Sequence, residues 1–159
     1  MIIALTGHRE QRLGLSSDVS LSEWKPIRNW IREQILQQLA KGQVEFISGM
    51  ASGSDKAAAY EVCKLKEEGF PITLTCVFPC KNYNTSDINN NYIRQNADNI
   101  IELHEAFFKG CDNDRDQYMA EHCDIMLAIF DGNKNSGVWS TIKKANRNNK
   151  TVIYYPFDN

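Results

Sequence analysis

Short runs of consecutive apolar residues recur along the chain and alternate with stretches of helical pattern. Most runs are continuous, which is typical of strands buried on both faces of a parallel sheet. We therefore predict strands at 2–6, 44–48, 72–78, 99–103, 125–130 and 151–155.

The stretches between these runs carry the periodicity of amphipathic helices. Trp24, Ile27, Ile31, Ile35 and Leu39 fall on one helical stripe, because they are spaced by 3, 4, 4 and 4 residues. Helices are predicted at 24–39, 56–68, 87–97, 114–122 and 138–148. Strict alternation of strands and helices predicts a doubly wound α/β sandwich, with a mostly parallel sheet of about six strands in one domain over residues 1–159.

Composition narrows the classes of protein that fit this fold. The chain has 159 residues, 42% of them apolar, and a formal net charge of −2. It therefore lacks the strong positive field of a non-specific nucleic-acid binder, and nucleic acid is an improbable partner. No window has the roughly 18 apolar residues of a membrane helix, and the first residues do not resemble a signal peptide, so we expect a cytoplasmic protein without a membrane partner.

The cysteines do not indicate a metal site or a disulfide framework. The five residues are Cys63, Cys76, Cys80, Cys111 and Cys123, and their spacings match no common zinc signature. We expect neither a disulfide nor a structural metal.

Candidate chemistry lies just after the strands, because open α/β sheets bind ligands outside the carboxyl ends of their strands. The first strand is followed by Thr6, Gly7, His8 and Arg9. Small residues and glycines then follow two further strands, at 48–55 and at 131–141, and each segment runs into a helix. Such turns can hold phosphate on backbone N–H groups at the helix N-terminus, or they can simply cap the helix. Neither segment has the spacing of a dinucleotide fingerprint or of a P-loop.

These segments resemble the SLOG superfamily, which groups DNA-processing protein A with the LOG phosphoribohydrolases. The resemblance rests on 6–9, on 48–58, on 115–119 with Cys123 and Asp124, and on 131–141, where the chain is most similar to the small YpsA-like branch found in bacteria and phages. It implies a single Rossmann-like domain that binds a nucleotide-type ligand, with ADP-ribose derivatives and signalling nucleotides among the possibilities.

The chain departs from the LOG enzymes at one position. Their glycine-rich turn ends in a glutamate that serves N-glycosidic bond cleavage, and the matching residue here is Lys144. A lysine cannot supply the carboxylate. This departure argues against LOG-type hydrolysis through that residue.

The predicted function is therefore the binding of a nucleotide or nucleotide-derived ligand by a sensing or sequestering module that requires no cofactor. A nucleotide hydrolase or transferase, using Asp131 or Asp55, is the alternative, and DNA association is a weaker one. Asp131 is the weak candidate for a general base, as the carboxylate expected near Ser136 and Thr141. The predicted ligand-binding residues are Thr6, Gly7, His8, Arg9, Ser48, Gly49, Met50, Ala51, Gly53, Asp55, Pro79, Arg115, Asp131, Gly132, Ser136, Gly137, Ser140 and Thr141.

The sequence also leads to expectations for three other features of the chain. The Asn-rich segment 81–92 is either a polar loop or a flap over the ligand crevice. Lys143, Lys144, Arg147 and Lys150 are expected to form a solvated helix face. Trp24, Trp30, Phe107 and Phe108 offer aromatic surface for a possible homo-oligomer.

Overall fold

The apolar runs pair into one sheet of six strands in which every pairing is parallel. The structure is a computed structural model that describes residues 1–83 and 87–157. The strands lie in the order β4-β3-β2-β1-β5-β6, which confirms the α/β, Rossmann-like fold. They are β1 (Ile2–Gly7), β2 (Val44–Ser48), β3 (Ile72–Phe78), β4 (Asn99–Glu102), β5 (Ile125–Ile129) and β6 (Thr151–Tyr154).

Helices cover both faces of this sheet. They are α1 (Glu10–Leu13), α2 (Lys25–Leu39), α3 (Ser54–Glu67), α4 (Asn90–Asn96), α5 (Cys111–His122) and α6 (Gly137–Arg147), with a 3₁₀ turn at Ser22–Trp24. Helix α3 packs against β1, β2 and β3 and against α2, whereas α5 and α6 pack against each other and against β1.

The central strands are buried, as their continuous apolar runs predict, whereas β4 at one edge of the sheet is largely exposed. All five residues of β5 are buried, as are the four inner residues of β1. Strand β4 lies at the sheet edge, and its Ile100 is 43% exposed. The strand at the other edge, β6, likewise has two exposed residues, so the two edge strands are less buried than the central ones.

Two helix starts, those of α4 and α5, differ from the sequence prediction by three residues. Helix α4 begins at Asn90 rather than residue 87, because Asn89 adopts a left-handed conformation with φ 72° that a helix cannot contain. Helix α5 begins at Cys111, three residues earlier than predicted. The short α1 and the 3₁₀ turn carry too few residues for a periodic pattern.

One of the aromatic side chains expected at the surface is buried, and the others differ in exposure. Trp24 is fully buried and donates its indole N–H to the Ser16 carbonyl at 2.8 Å, so it offers no surface for a partner. Trp30 packs edge-on against Tyr155, while Phe107 is 68% exposed. The five cysteines are buried and free.

In the part of the chain that the structure describes, no helix combines the length and the apolar character needed to cross a membrane.

The strand order reverses between β1 and β5, which makes their carboxyl ends the expected ligand position. Successive strands extend from β1 towards β4 on one side, and from β5 to β6 on the other. The His8 N–H donates to the Ile129 carbonyl at 3.1 Å, so the two strand ends stay paired up to the point where their loops separate.

Candidate functional site

A pocket of about 380 Å³ opens at this strand reversal, and we call it the switch-point pocket. Its volume falls in the range of about 300–1,000 Å³ found for small-molecule sites. It is lined by Thr6, Gly7, His8, Arg9, Arg12, Ala51, Asp55, Asp112, Arg115, Asp116, Ser136, Gly137, Val138 and Thr141.

The structure brings together most of the predicted ligand contacts and leaves others outside. The pocket wall contains the loop after β1, one side of the loop after β2, Arg115 of α5 and the start of α6. The predicted residues outside that wall are Ser48, Gly49, Met50, Gly53, Pro79, Asp131, Gly132 and Ser140.

The loop after β1 packs directly on the start of α3. The Ser54 N–H and hydroxyl both donate to the His8 carbonyl, at 3.2 and 2.7 Å. Gly53 adopts φ 83°, and a Cβ atom there would lie 2.6 Å from the Glu10 backbone nitrogen. The glycine therefore serves a close approach between two loops of the same chain.

Polar groups of the loop after β2 also form hydrogen bonds with other groups of the protein. The Met50 N–H donates to the Ser48 hydroxyl at 3.2 Å, and that hydroxyl donates to the Asp55 carbonyl at 3.0 Å. The Ala51 N–H points to Asp55 Oδ2 at 3.4 Å. These groups hold the loop and orient Asp55, so the part of this turn that faces the pocket is Ala51 and Asp55.

The start of α6 differs from the loop after β2, because two of its backbone N–H groups have no acceptor among the described residues. The Ser136 hydroxyl accepts a hydrogen bond from the Trp139 N–H at 3.3 Å, so Ser136 caps the helix as one sequence reading expected. In the described ranges 1–83 and 87–157, the structure gives the N–H groups of Gly137 and Val138 no acceptor. Both residues line the switch-point pocket, where such amides attract anions.

Arg9 stands at the same pocket without a fixed partner. Its side chain is exposed, and among the described residues no carboxylate forms an ion pair with it. Its charge acts on Asp55. Arg9 is therefore the guanidinium of the site that is free to bind an incoming anion.

The side chains of His8, Arg12 and Asp131 form a cluster in which Asp131 contacts both of the others. Arg12 Nε lies 2.6 Å from Asp131 Oδ2. His8 Nε2 lies 3.0 Å from Asp131 Oδ1 and 3.1 Å from the backbone nitrogen of Asp131. The Arg12 guanidinium, with the Asn133 N–H, lowers the pKa of Asp131 to about 2. A carboxylate of that pKa is a weak proton acceptor at neutral pH.

Arg115 is buried and faces several acceptors at once. Its Nε lies 3.2 Å from Asp116 Oδ1, and its Nη1 lies 3.7 Å from Asp112 Oδ1. Nη1 is also 3.4 Å from the Gly49 carbonyl and from the Tyr83 hydroxyl. The carboxylates that form ion pairs with Arg115 are therefore Asp112 and Asp116.

The acidic wall of the pocket contains Asp55, Asp112 and Asp116. Burial raises the pKa of Asp55 to about 7, although the charge of Arg115 opposes the rise. Burial also raises the pKa of Asp116, again against Arg115. Asp112 Oδ1 is a buried oxygen without a hydrogen-bond donor in the described part of the chain, so it can accept one from a ligand.

Two expectations about neighbouring residues need correction. Asp131 is not the carboxylate that lies in the pocket wall with Ser136 and Thr141, because that wall contains Asp55, Asp112 and Asp116 instead. Lys144 is not on a solvated face: it is buried, and its Nζ lies 2.9 Å from the Ser140 hydroxyl.

The Asn-rich segment reaches the site at one described residue. Tyr83 contacts Arg115 through its hydroxyl, and the ring centroid lies 5.9 Å from the guanidinium carbon. Beyond it, the buried Lys56 Nζ binds the Ile88 carbonyl at 2.8 Å. Residues 84–86 lie outside the described residues, and the flap remains a prediction.

Sequence reasoning missed Arg12, Asp112, Asp116 and Val138. Spacing from Arg115 provides a signal for Asp112, because residues three positions apart share a helix face, but not for Asp116, which is adjacent to Arg115 in the sequence. Arg12 carries no comparable signal, since its position depends on the short α1.

Comparisons with known proteins identify the family of the chain. No curated protein matches the chain. A family model described as the YspA SLOG family matches residues 3–158, nearly the whole length. The chain therefore belongs to the YpsA family of the SLOG superfamily.

Proposed function

We propose that the protein binds a nucleotide or nucleotide-derived ligand, such as an ADP-ribose derivative or a signalling nucleotide, in the switch-point pocket. Family membership supports a nucleotide-related function in general terms. The observation that carries the proposal is the pairing of two unlike walls in one pocket: an anion-binding wall and a carboxylate wall.

The anion-binding wall suits phosphate. The free N–H groups of Gly137 and Val138 point from a helix of 11 residues, and Arg9 lies beside the same space without an ion pair among the described residues. Backbone amides at a helix start and a guanidinium fork are the groups that proteins commonly use for phosphate. We assign the phosphates of the ligand to this wall.

The carboxylate wall suits the remainder of a nucleotide. Asp112 offers a buried oxygen without a donor in the described residues, and Asp116 lines the same pocket with one oxygen 3.2 Å from Arg115 Nε. Ribose hydroxyls and the amino groups of bases are hydrogen-bond donors that such oxygens accept. A ligand with phosphate at one end and donors at the other matches both walls.

Hydrolysis or group transfer is the second candidate function, and one observation favours it. Asp55 lines the pocket with a pKa raised by burial to about 7, which is suited to proton transfer at neutral pH. Lys144 at the LOG glutamate position argues against the LOG route. We rank binding first, because the contacts above account for recognition without a reaction.

A thermal-shift panel tests the proposal. The ligands are AMP, ADP, ATP, NAD, ADP-ribose and cyclic nucleotides, and each hit is incubated with protein and separated by chromatography. A ligand at about one hundred times its Kd should add about 2.7 kcal/mol, which is several degrees in Tm for this size. We expect at least one nucleotide to shift Tm and to be recovered intact. Recovery as cleaved product would favour the second function, and no shift with any nucleotide contradicts both.

Arg9→Ala is expected to weaken binding of the strongest nucleotide by roughly tenfold to a hundredfold, because it removes a charged hydrogen bond of about 1.5–3 kcal/mol. Arg147→Ala, another exposed arginine but at the end of α6, is the matched control. Equal affinity of the Arg9→Ala variant and the wild type would remove Arg9 from the site.

A further inference from the structure

Asp55 differs from the other carboxylates of the switch-point pocket in how it is held. It is 6% exposed at the start of α3. Within 1–83 and 87–157, its carboxylate has one hydrogen bond, the long one of 3.4 Å from the Ala51 N–H. No lysine or arginine nitrogen of those residues forms an ion pair with it, whereas Asp116 and Asp112 both face Arg115 within 4.0 Å.

The charged groups facing Asp55 come from two elements. Helix α5 contributes Arg115 and Asp116, which act with opposite sign, and the loop after β1 contributes Arg9. Arg115 forms its ion pairs with Asp112 and Asp116, and its charge does not offset the effect of burial on Asp55. Asp55 is therefore a buried acid whose ionised form has little stabilisation.

A bound phosphate ligand changes this balance in one direction. It engages Arg9, which attracts the ionised form of Asp55, and it brings negative charge into the pocket. It also removes water from the carboxyl group. Each of these changes favours the protonated acid over the carboxylate.

We infer that the protein binds its ligand together with one proton, which Asp55 carries and donates to an acceptor atom of the ligand. The inference rests on the proposed function and adds to it. It makes Asp55 a hydrogen-bond donor that recognises a phosphate oxygen, a carbonyl or a ring nitrogen of the ligand. Ligand hydroxyls are left to Asp112 and Asp116. Burial, which raises the pKa of Asp55 to about 7, places the proton uptake near neutral pH.

Calorimetric titration with ADP-ribose tests the inference, because the pyrophosphate of this probe does not titrate near neutral pH. Titrations in two buffers of different ionisation enthalpy give the number of protons taken up. We expect close to one proton per ligand at about pH 8, and an affinity that falls about tenfold per pH unit above about pH 7.

Asp55→Asn separates this role from a structural one, since the amide keeps the shape and carries a permanent donor. The variant should take up no proton through this position, show an affinity independent of pH, and bind roughly tenfold more tightly than the wild type at about pH 8. Asp114→Asn, on α5 but outside the pocket, is the matched control. A proton bound elsewhere, for example by His8, would persist in Asp55→Asn.

Three results are decisive. Proton uptake that disappears in Asp55→Asn supports the inference. Binding of ADP-ribose without uptake, or with equal uptake in the variant, overturns the inference and leaves the proposed function intact. No binding by the wild type at any pH overturns the inference, and the thermal-shift panel then decides separately whether another nucleotide binds.

Discussion

Arg115→Met is expected to lower the free energy of unfolding by about 3–5 kcal/mol at about pH 8, because removing one partner of a buried charge cluster leaves the others uncompensated. Arg115 is 5% exposed and faces Asp112 and Asp116 within 4.0 Å, with Asp55 under its influence. Methionine keeps much of the apolar stem, so the change tests the guanidinium rather than the packing.

The loss should depend on pH in a defined direction. The folded pKa of Asp55 lies above its unfolded value of 3.8, so between these values the native state binds more protons than the unfolded state. Stability therefore falls as pH rises through that window. Without Arg115 the pKa values of Asp55 and Asp116 rise further, and the fall extends to higher pH. The difference from the wild type should be larger at about pH 8 than at about pH 5.

Chemical denaturation at both pH values measures this effect. Arg147→Met removes an exposed guanidinium at the end of α6 and should change stability little. A loss for Arg115→Met that is below about 1 kcal/mol, or that is the same at both pH values, contradicts the proposed charge cluster.

Gly53→Ala is the second change with a large expected effect, a loss of about 3 kcal/mol or more. Gly53 has φ 83°, which costs an alanine about 1–3 kcal/mol. Its Cβ would also lie 2.6 Å from the Glu10 nitrogen and 2.8 Å from Arg9 Cα, and overpacking typically costs about 1–3 kcal/mol more. Both neighbours are backbone atoms, so no side-chain rotation relieves the contact, and Arg9 should move away from the pocket.

Gly132→Ala is the matched control for backbone conformation. Gly132 has φ 97°, but a Cβ there would meet no atom within 4 Å. Its loss should be smaller than that of Gly53→Ala by roughly the overpacking cost of 1–3 kcal/mol. Equal losses in denaturant would show that the loop after β1 and the start of α3 are not in close contact.

The sheet could be predicted from sequence because its central strands are continuous apolar runs. Strands β1 and β5 are buried by neighbours on both sides, so little besides apolar residues fits there. Burial of the edge strand β4 could not be predicted, since strand order is set by contacts distant in sequence.

The position of the site could be predicted from the sequence, whereas the contacts between its side chains could be predicted only in part. The loops after β1 and β5 lie in the pocket because the strand reversal puts them there. On α5, Cys111, Arg115 and Met119 lie four residues apart on the buried face, and the charged residue among them weakens the apolar pattern. The acidic wall on this helix was accordingly missed.

Glycines illustrate a further limit of sequence reading. The turn 48–53 has the composition of a phosphate cradle, yet Gly53 makes room for the backbone of Arg9 and Glu10. The start of α6 leaves the N–H groups of Gly137 and Val138 without acceptors among the described residues. Composition does not reveal whether a glycine admits a ligand or another segment of the same chain.

Amide chemical-shift mapping with ADP-ribose and AMP tests most directly whether the switch-point pocket binds nucleotides. We expect the largest changes at the amides of Gly7, Arg9, Gly137 and Val138, where the two loops meet at the strand reversal. Spectra unchanged by either nucleotide, or changes confined to β4 and Phe107, would contradict the assignment of this pocket as the nucleotide site.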